Sequence, residues 1–323
     1  MTHPAQQYSI VADIGGTNTR LALADGLKVV EGTVRRYSNA QYDGLETILR
    51  QYVADEGNVA AKAVCVAVAG PVQDGRAEMT NLAWSMDEEM LKRATGAPQA
   101  ALLNDLQAQG HALGHIDDSL VRVIVPFTDA PANATRMVVG LGTGVNVAPV
   151  FETRRGRHVP PSESGHITLP VRNASDLSLS QFVAENHGYP EVEEVLSGRG
   201  IENLYAWARR EAGLEGGLSA AEIMDALAAG TDVEAKTVAA NYVRILGAIV
   251  GDLALVQLPF GGIYLVGGVA RAFAPWLETY DFTAALRDKG RFSEFLSQFG
   301  VGIIEDDYAA LVGCAAYLEM IEG

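Results

Sequence analysis

The stretch YSIVADIGGTNTRLALA, residues 8–24, is the most informative segment for the fold class. Two apolar runs flank a glycine pair, and apolar residues alternate in the second run, which predicts a strand, a tight turn and a returning strand. Asp13 stands at the end of the first strand. The turn contains Gly15, Gly16, Thr17 and Asn18. Because glycines let a backbone approach an anion and aim successive N–H groups at it, this turn is a candidate phosphate site, or else an ordinary hairpin turn.

The rest of the first hundred residues has the pattern of a mixed α/β unit with an antiparallel beginning. Apolar residues at helical spacing predict helices, and continuous apolar runs between turns predict strands. Helices are expected at residues 45–53, 86–95 and 106–113, and strands at residues 63–69 and 100–103. Ser85 is the expected cap of the second helix, and Asp105 that of the third. The last strand places Asn104 and Asp105 at its carboxyl end.

The second half opens in the same way, with a strand at residues 137–139, the turn GLGTG and a strand at residues 145–151. Gly142, Thr143 and Gly144 in this turn are a second candidate phosphate site. The turn lacks the GxGxxG pattern and leads into a strand, where a dinucleotide-binding fold would begin a helix. A dinucleotide site is therefore disfavoured.

The remaining pattern predicts further helices and a third glycine site. The predicted helices lie at residues 220–229, 233–257, 282–286 and 308–321, and a buried strand lies at residues 263–266. Gly267 and Gly268 follow that strand. They either lie against an adenine or a ribose, or let a helix pack closely on the strand.

The composition excludes several classes of function. The chain of 323 residues has 40 acidic and 24 basic side chains and a formal net charge of -16. Long-range repulsion opposes binding to a phosphate backbone or an anionic membrane surface, so we expect no nucleic acid and no membrane as a partner. Two cysteines form neither a disulfide framework nor a four-cysteine zinc site, and the first residues lack the pattern of a secretory signal. We therefore expect a cytoplasmic protein.

Taken in order along the chain, a set of motifs resembles the bacterial glucokinase family, which belongs to the hexokinase, Hsp70 and actin superfamily. The matching stretches are DIGGTNTRLAL, AVAGPV with MTNLAW, LLNDLQAQGHAL, GLGTGVNVA, SESGH, EEVLSGRGIENLY, GGIYLVGGV and DKGRF. The resemblance implies an α/β chain with a two-domain ribonuclease H-like (actin-like ATPase) fold and a cleft between the domains. We expect a small domain at residues 1–109 plus 308–323 and a large domain at residues 110–307.

The resemblance also implies an activity and its residues: phosphorylation of glucose by ATP at the 6-hydroxyl, giving glucose 6-phosphate and ADP. Asp105 is then the general base that accepts the hydroxyl proton. The implied substrate-binding residues are Asn81, Asn104, Asp105, Glu163, His166 and Glu193. The implied ATP-binding residues are Asp13, Gly15, Gly16, Thr17, Asn18, Gly142, Thr143, Gly144, Gly267 and Gly268. The resemblance further implies a Mg²⁺ ion held by Asp13 through water, and a homodimer.

Three positions depart from the family's pattern. Asn146 stands where the family tends to continue with glycine, Ser164 where a glycine is common, and Arg199 where proline is frequent. None removes a catalytic residue, and we expect them to bear on which hexose is preferred.

Other functions stay open at this point. One is phosphorylation of another hexose, such as mannose, glucosamine or fructose, and a second is sugar sensing without catalysis. A third is an actin-like or Hsp70-like ATPase, which the intact set of sugar residues argues against. The phosphoryl donor is open as well, since ADP or polyphosphate is an alternative to ATP.

Overall fold

The computed structural model describes residues 8–79 and 82–322, so Asn81 lies outside the described residues. The strands are β1 (Ser9–Ile14), β2 (Asn18–Asp25), β3 (Lys28–Val29), β4 (Arg35–Ser38), β5 (Ala63–Val68), β6 (Val72–Gln73), β7 (Arg76–Glu78), β8 (Ser85–Asp87), β9 (Gln99–Asn104), β10 (Val121–Val125), β11 (Arg136–Leu141), β12 (Val145–Thr153), β13 (Gly156–His158), β14 (Ile263–Val266) and β15 (Val301–Ile304).

The helices are α1 (Leu45–Asp55), α2 (Glu88–Thr95), α3 (Asp105–Ala112), α4 (Ala174–His187), α5 (Glu193–Leu196), α6 (Gly198–Glu211), α7 (Ala220–Ala229), α8 (Val233–Gln257), α9 (Gly268–Thr279), α10 (Phe282–Arg287) and α11 (Ala309–Glu322). The chain divides into two compact units. The first contains Met1–Leu120, Thr153–Pro161 and Asp306–Gly323, and the second contains Val121–Glu152 and Ser162–Glu305.

The first unit is built on a sheet with the order β3-β2-β1-β5-β9, and β4 also pairs with β2. Strands β1 and β2 are antiparallel, whereas β1, β5 and β9 run parallel. The antiparallel beginning predicted for this mixed α/β unit is thereby confirmed. Ile14 is level with Val68, and Val68 is level with Asn104, so the carboxyl ends of the three parallel strands form one edge.

Both faces of this sheet are buried, which explains why its strands read as continuous apolar runs. In β5 the alternate residues Val64, Val66 and Val68 pack into the cluster that contains the apolar side of α1 and α2. Ala63, Cys65 and Ala67 face the other way, into the cluster shared with α3 and α11. Cys65 and Cys314 both lie in this second cluster as free, buried thiols.

The first unit extends beyond the boundary predicted at residue 109. Helix α3 continues to Ala112, and one guanidinium nitrogen of Arg157 donates to the carbonyls of Gly110, His111 and Leu113. These bonds attach the segment Thr153–Pro161 to the end of α3, and both segments belong to the first unit.

Two helix caps differ from the prediction by one or two residues. Ser85 belongs to β8, and the cap of α2 is Asp87, whose carboxylate accepts from the backbone N–H of Met90 at 2.7 Å. Helix α3 begins at Asp105, and its cap is Asn104, which keeps an extended backbone. In both cases the last residue of a strand is the helix cap, because a cap needs the extended conformation that a strand already has.

The second unit has a sheet with the order β10-β15-β14-β11-β12. Strands β11 and β12 form the predicted antiparallel pair around the second glycine turn, and β11 runs parallel to β14. Among the described residues one helix, α8, is long and apolar enough by length and composition to cross a membrane. However, 67% of its most apolar window is buried inside the structure, as expected for the core helix of a folded domain.

Candidate active site

The first glycine turn joins β1 to β2, as predicted, and is closed by the N–H of Gly15 donating to the carbonyl of Asn18 at 3.0 Å. No atom lies within 4 Å of the position a Cβ of Gly16 would take. The turn therefore presents an open backbone surface. Backbone N–H groups in a turn of this kind are the usual protein donors for an anion.

Asn39, which sequence reasoning missed, holds this turn from behind. Its side chain is only 3% exposed. The amide nitrogen donates to the Gly15 carbonyl at 2.8 Å, the amide oxygen accepts from the hydroxyl of Thr19 at 2.8 Å, and the backbone N–H donates to the carbonyl of Thr17 at 2.9 Å. Three bonds from one buried residue fix the turn, since an unmade bond here would leave a buried polar group unsatisfied.

Asp13 lies at the carboxyl end of β1, opposite Arg20 in the β1–β2 register. Its carboxylate is 3.7 Å from the Arg20 guanidinium. Burial raises the pKa of Asp13, and the charge of Arg20 opposes that rise. The carboxylate is thus held in a partly desolvated position beside the glycine turn.

The donor set at this edge suits a metal held mainly by a substrate. Among residues 8–79 and 82–322, no group of three or more histidine, cysteine, aspartate or glutamate side chains is placed to hold a metal ion. Mg²⁺ in phosphoryl-transfer sites keeps several waters and takes one or two carboxylates together with the phosphates. The single carboxylate of Asp13 fits that mode of binding.

Asn104 and Asp105 lie at the same edge, where β9 ends and α3 begins. The Leu106 N–H is shared by the amide oxygen of Asn104 at 3.0 Å and by Oδ1 of Asp105 at 2.8 Å. The amide nitrogen of Asn104 donates to the carbonyl of Gly70 at 3.0 Å. Two strand spacings separate β1 from β9, which places Asp105 roughly 10 Å from the end of β1.

The second glycine turn lies close to the first residues of two helices. The N–H of Gly142 donates to the carbonyl of Gly144 at 3.0 Å, and the N–H of Gly198, the first residue of α6, donates to the carbonyl of Gly142 at 2.8 Å. A Cβ on Gly198 would also be 4.0 Å from Val269, in the first turn of α9. The turn therefore lies near the N-termini of α6 and α9, whose dipoles favour an anion.

Gly267 and Gly268 have different structural roles. Gly267 has a φ of 103°, and a Cβ there would overlap the carbonyl of Leu141, the last residue of β11. This close approach agrees with close packing, one of the two alternatives expected from the sequence, and the contact with an adenine or a ribose stays a prediction. Gly268 begins α9 and has open space where a Cβ would be, so it leaves room for a ligand beside the second turn.

Glu193 joins the second turn to the SESGH loop. Its Oε2 accepts from the N–H of Val145 at 2.8 Å, and a Cβ on Gly144 would be 2.7 Å from the same oxygen. A Cβ on Gly165 would be 3.4 Å from it. Gly144 of the second turn and Gly165 of the SESGH loop thus lie against the same carboxylate.

Glu163 and His166 are at the ends of a short turn in the SESGH loop, and both are exposed. Nδ1 of His166 is 3.0 Å from a carboxylate oxygen of Glu191, a residue that sequence reasoning did not single out. This hydrogen bond raises the pKa of His166. With its Nδ1 proton directed at Glu191, the ring offers Nε2 to a ligand.

The three departures from the family pattern all form contacts at this site. The side chain of Asn146 hydrogen-bonds to Ser162 and to the N–H of Ser164. The guanidinium of Arg199 pairs with Glu194 at 2.5 Å and lies 3.6 Å from Glu193. These departures are therefore part of the surroundings of Glu163 and Glu193.

Replacing Glu191 should lower the pKa of His166. In Glu191→Gln the ring loses its charged acceptor, so the pKa falls towards the ordinary value of 6.5. In the wild type the raised pKa makes the pair stabilising below pH 6.5, and this contribution disappears as the pH rises through the folded-state value. An NMR titration of His166 measures the shift. Glu185→Gln, which removes a carboxylate paired with Arg210, is the control and should leave the His166 titration unchanged.

Comparison with known proteins gives a consistent result. The family model described as Glucokinase matches residues 10–321. A glucokinase of Mesorhizobium japonicum is 31% identical over 309 residues, covering 95% of this chain and 90% of that protein. The crystal structure of a glucokinase from an Antarctic psychrotroph is similar with a TM-score of 0.86 and 30% identity, covering 97% of this chain and 98% of that one. A ROK family glucokinase from Streptomyces griseus, solved with glucose and AMPPNP, has the same fold, with a TM-score of 0.64, 20% identity and coverage of 95% and 98%.

Proposed function

Because this chain belongs to the glucokinase family, we propose that it transfers the γ-phosphoryl group of ATP to the 6-hydroxyl of glucose, giving glucose 6-phosphate and ADP. The observation that carries the proposal is the shared edge of the first sheet. The β1-β5-β9 register brings the glycine turn after β1 to the same edge as Asp105 after β9. A phosphate site and a carboxylate base on one edge are what phosphoryl transfer to a hydroxyl requires.

Asp105 is the proposed general base. The 6-hydroxyl oxygen forms a bond to the γ-phosphorus while the bond from that phosphorus to the bridging oxygen of ADP breaks, and the hydroxyl proton passes to the Asp105 carboxylate. The N–H of Leu106 donates to Oδ1 of Asp105, which fixes the orientation of the carboxylate. A base acts only from hydrogen-bond distance of its proton, so this fixed orientation supports the assignment.

The glycine turns are the proposed phosphate sites. Gly16, Thr17 and Asn18 supply N–H and side-chain donors in the first unit, and Thr143 and Gly144 do so in the second, beside Gly267 and Gly268. The N–H groups of Gly15 and Gly142 close the two turns, and these residues give the phosphates room because they have no side chain. Asp13 would hold Mg²⁺ through water, and the ion when bound would neutralise charge on the phosphates. Local donors are needed because a chain with a net charge of -16 repels ATP at long range.

The proposed sugar residues are Asn104, Glu163, His166 and Glu193, together with Asn81, which lies outside the described residues. Carboxylates, amides and an imidazole suit a hexose because each sugar hydroxyl both donates and accepts. The amide nitrogen of Asn104 has two N–H groups, of which one donates to Gly70. We assign the other to a sugar hydroxyl.

Phosphorylation of another hexose is the second candidate. Three departures from the family pattern lie next to proposed sugar residues and could change the preferred sugar. Asn146 and Ser164 are bonded to each other beside Glu163, and Arg199 lies near Glu193. We also assign the chain to the cytoplasm, as its two cysteines lead us to expect, and to a homodimer, as the family resemblance implies. Its mass in solution tests the second assignment.

A panel of sugars and donors tests this function. Glucose, mannose, glucosamine and fructose are each combined with ATP, ADP or polyphosphate, and release of the spent donor is followed. We expect the highest kcat/KM for glucose with ATP. A higher kcat/KM for another hexose would identify that hexose as the preferred substrate. Sugar binding without turnover would indicate a sensor, and ATP hydrolysis independent of sugar would indicate an ATPase.

A further inference from the structure

The carboxamide of Asn146 is the centre of a hydrogen-bond network in the second unit. Its oxygen accepts from the N–H of Ser164 at 3.0 Å, from the hydroxyl of Ser162 at 3.2 Å and from the N–H of Val147 at 2.8 Å. Its nitrogen donates to the carbonyl of Ser162. The hydroxyls of Ser162 and Ser164 are 2.7 Å apart. Both the nitrogen and the oxygen of the side chain thus form hydrogen bonds with the loop that contains Ser162 and Ser164.

The network holds the chain on both sides of Glu163. Ser162 and Ser164 are its sequence neighbours, and each is bonded to the same carboxamide. The part of the loop after His166 is held differently, since the N–H of Val192 donates to the carbonyl of Ile167 at 3.0 Å. Asn146 therefore fixes the half of the loop that carries Glu163.

Asn146 also ties this loop to the strand that follows the second glycine turn. It is the second residue of β12, and Gly144 precedes that strand directly. Glu163 itself is exposed at the surface of the second unit, so packing contributes little to its position. A carboxylate that reads the stereochemistry of hydroxyl groups must be held within a fraction of an ångström, and here its backbone is held by hydrogen bonds.

We propose that Asn146 is a positioning residue for sugar recognition, which acts by fixing the backbone of Glu163. The inference rests on the proposed function, because it takes Glu163 to bind the sugar. It assigns Asn146 no contact with the phosphates. Loss of its side chain should therefore change the binding of sugar and the choice between sugars, and leave the binding of ATP as it is.

Steady-state kinetics of Asn146→Ala test the proposal. Several hydrogen bonds are lost, and each contributes about 1 kcal/mol, so we expect the KM for glucose to rise about tenfold or more. The KM for ATP and the kcat at saturating glucose should stay within about twofold of the wild type, because sugar binding is weakened equally in the ground state and in the transition state. The ratio of kcat/KM for glucose to that for mannose should fall.

Two further variants complete the experiment. Ser162→Ala removes one hydroxyl from the network and keeps the carboxamide, so a rise of about threefold in the KM for glucose is expected; this variant decides the matter if Asn146→Ala does not fold. Asn241→Ala is the matched control, since it removes another half-buried carboxamide of the second unit, one that bonds within α8. Its kinetic constants should equal those of the wild type.

The outcomes separate the two proposals. If the wild type phosphorylates glucose and both network variants keep its KM for glucose and its sugar selectivity, the role of Asn146 is wrong while the proposed function stands. If kcat and the kcat/KM values for every sugar and for ATP fall together with the melting temperature, Asn146 is a stabilising residue only, and the inference is again overturned. A wild type without glucose-dependent turnover overturns the proposed function and this inference with it.

Discussion

Asp105→Asn is expected to lower kcat by about 10²-fold or more, since a neutral amide does not accept the proton of the attacking hydroxyl. The fold should be retained, because the asparagine oxygen still accepts from the N–H of Leu106 at the start of α3. The KM values should change little, as the shape of the side chain is kept. Turnover is measured by ADP release at saturating glucose and ATP.

Asp87→Asn is the matched control for this experiment. Asp87 is at the N-terminus of α2 in the same unit, and its carboxylate accepts from the N–H of Met90. Asparagine caps helices as well as aspartate does, so turnover should equal that of the wild type. Near-normal turnover of Asp105→Asn would show that Asp105 is not the base.

Gly165→Ala is expected to lower kcat/KM for glucose by about 10²-fold, because a displacement of about 1 Å at a substrate-positioning segment has an effect of that size. The new Cβ would overlap the carbonyl of Val145. Val145 pairs with Leu141 in the β11–β12 ladder, so the strand is not free to yield. The SESGH loop must move instead, and Glu163 and His166 move with it.

Gly217→Ala controls for the substitution itself. Gly217 is an exposed residue of the second unit, and nothing lies within 4 Å of the position of its added Cβ. Its kcat/KM should equal that of the wild type. A Gly165→Ala enzyme with unchanged kcat/KM for glucose, and with the circular dichroism of the wild type, would contradict the placement of the sugar residues in this loop.

Several elements with a strong periodic pattern were predicted from the sequence, although α6, whose buried residues Ile201, Leu204, Tyr205 and Ala208 have helical spacing, was missed. Helices α7 and α8 and strand β14 have the predicted bounds. Helix α4 was not predicted, because few of its side chains are apolar and buried. Leu179 and Val183 face the core, whereas Leu177 is 49% exposed, so the sequence has no clear helical stripe there.

The candidate site was predictable where a short motif carries it. The two glycine turns lie between paired strands as expected. Asn39 and Glu191 were missed because each acts on a residue far away in the sequence: Asn39 contacts Gly15, and Glu191 contacts His166, across 24 and 25 positions respectively. Contacts of that range depend on how the strands and loops pack, which no local pattern records.

Only the structure shows which residues the three departures from the family pattern contact. Asn146 and Ser164 are 18 positions apart, and the sequence alone gives no reason to connect them. In the structure the N–H of Ser164 donates to the side chain of Asn146, so the two positions belong to one network. Arg199 likewise has a partner in Glu194, whose side chain is only 7% exposed.

The most direct test of the proposed function is the stoichiometry of the reaction of the wild-type chain with glucose, ATP and Mg²⁺. We expect one ADP for each glucose 6-phosphate formed, with the product identified by a dehydrogenase specific for glucose 6-phosphate. With 6-deoxyglucose, which lacks the accepting hydroxyl, no phosphorylated sugar should appear. ADP release without glucose 6-phosphate, or phosphorylation of 6-deoxyglucose, would contradict transfer of the γ-phosphoryl group to the 6-hydroxyl.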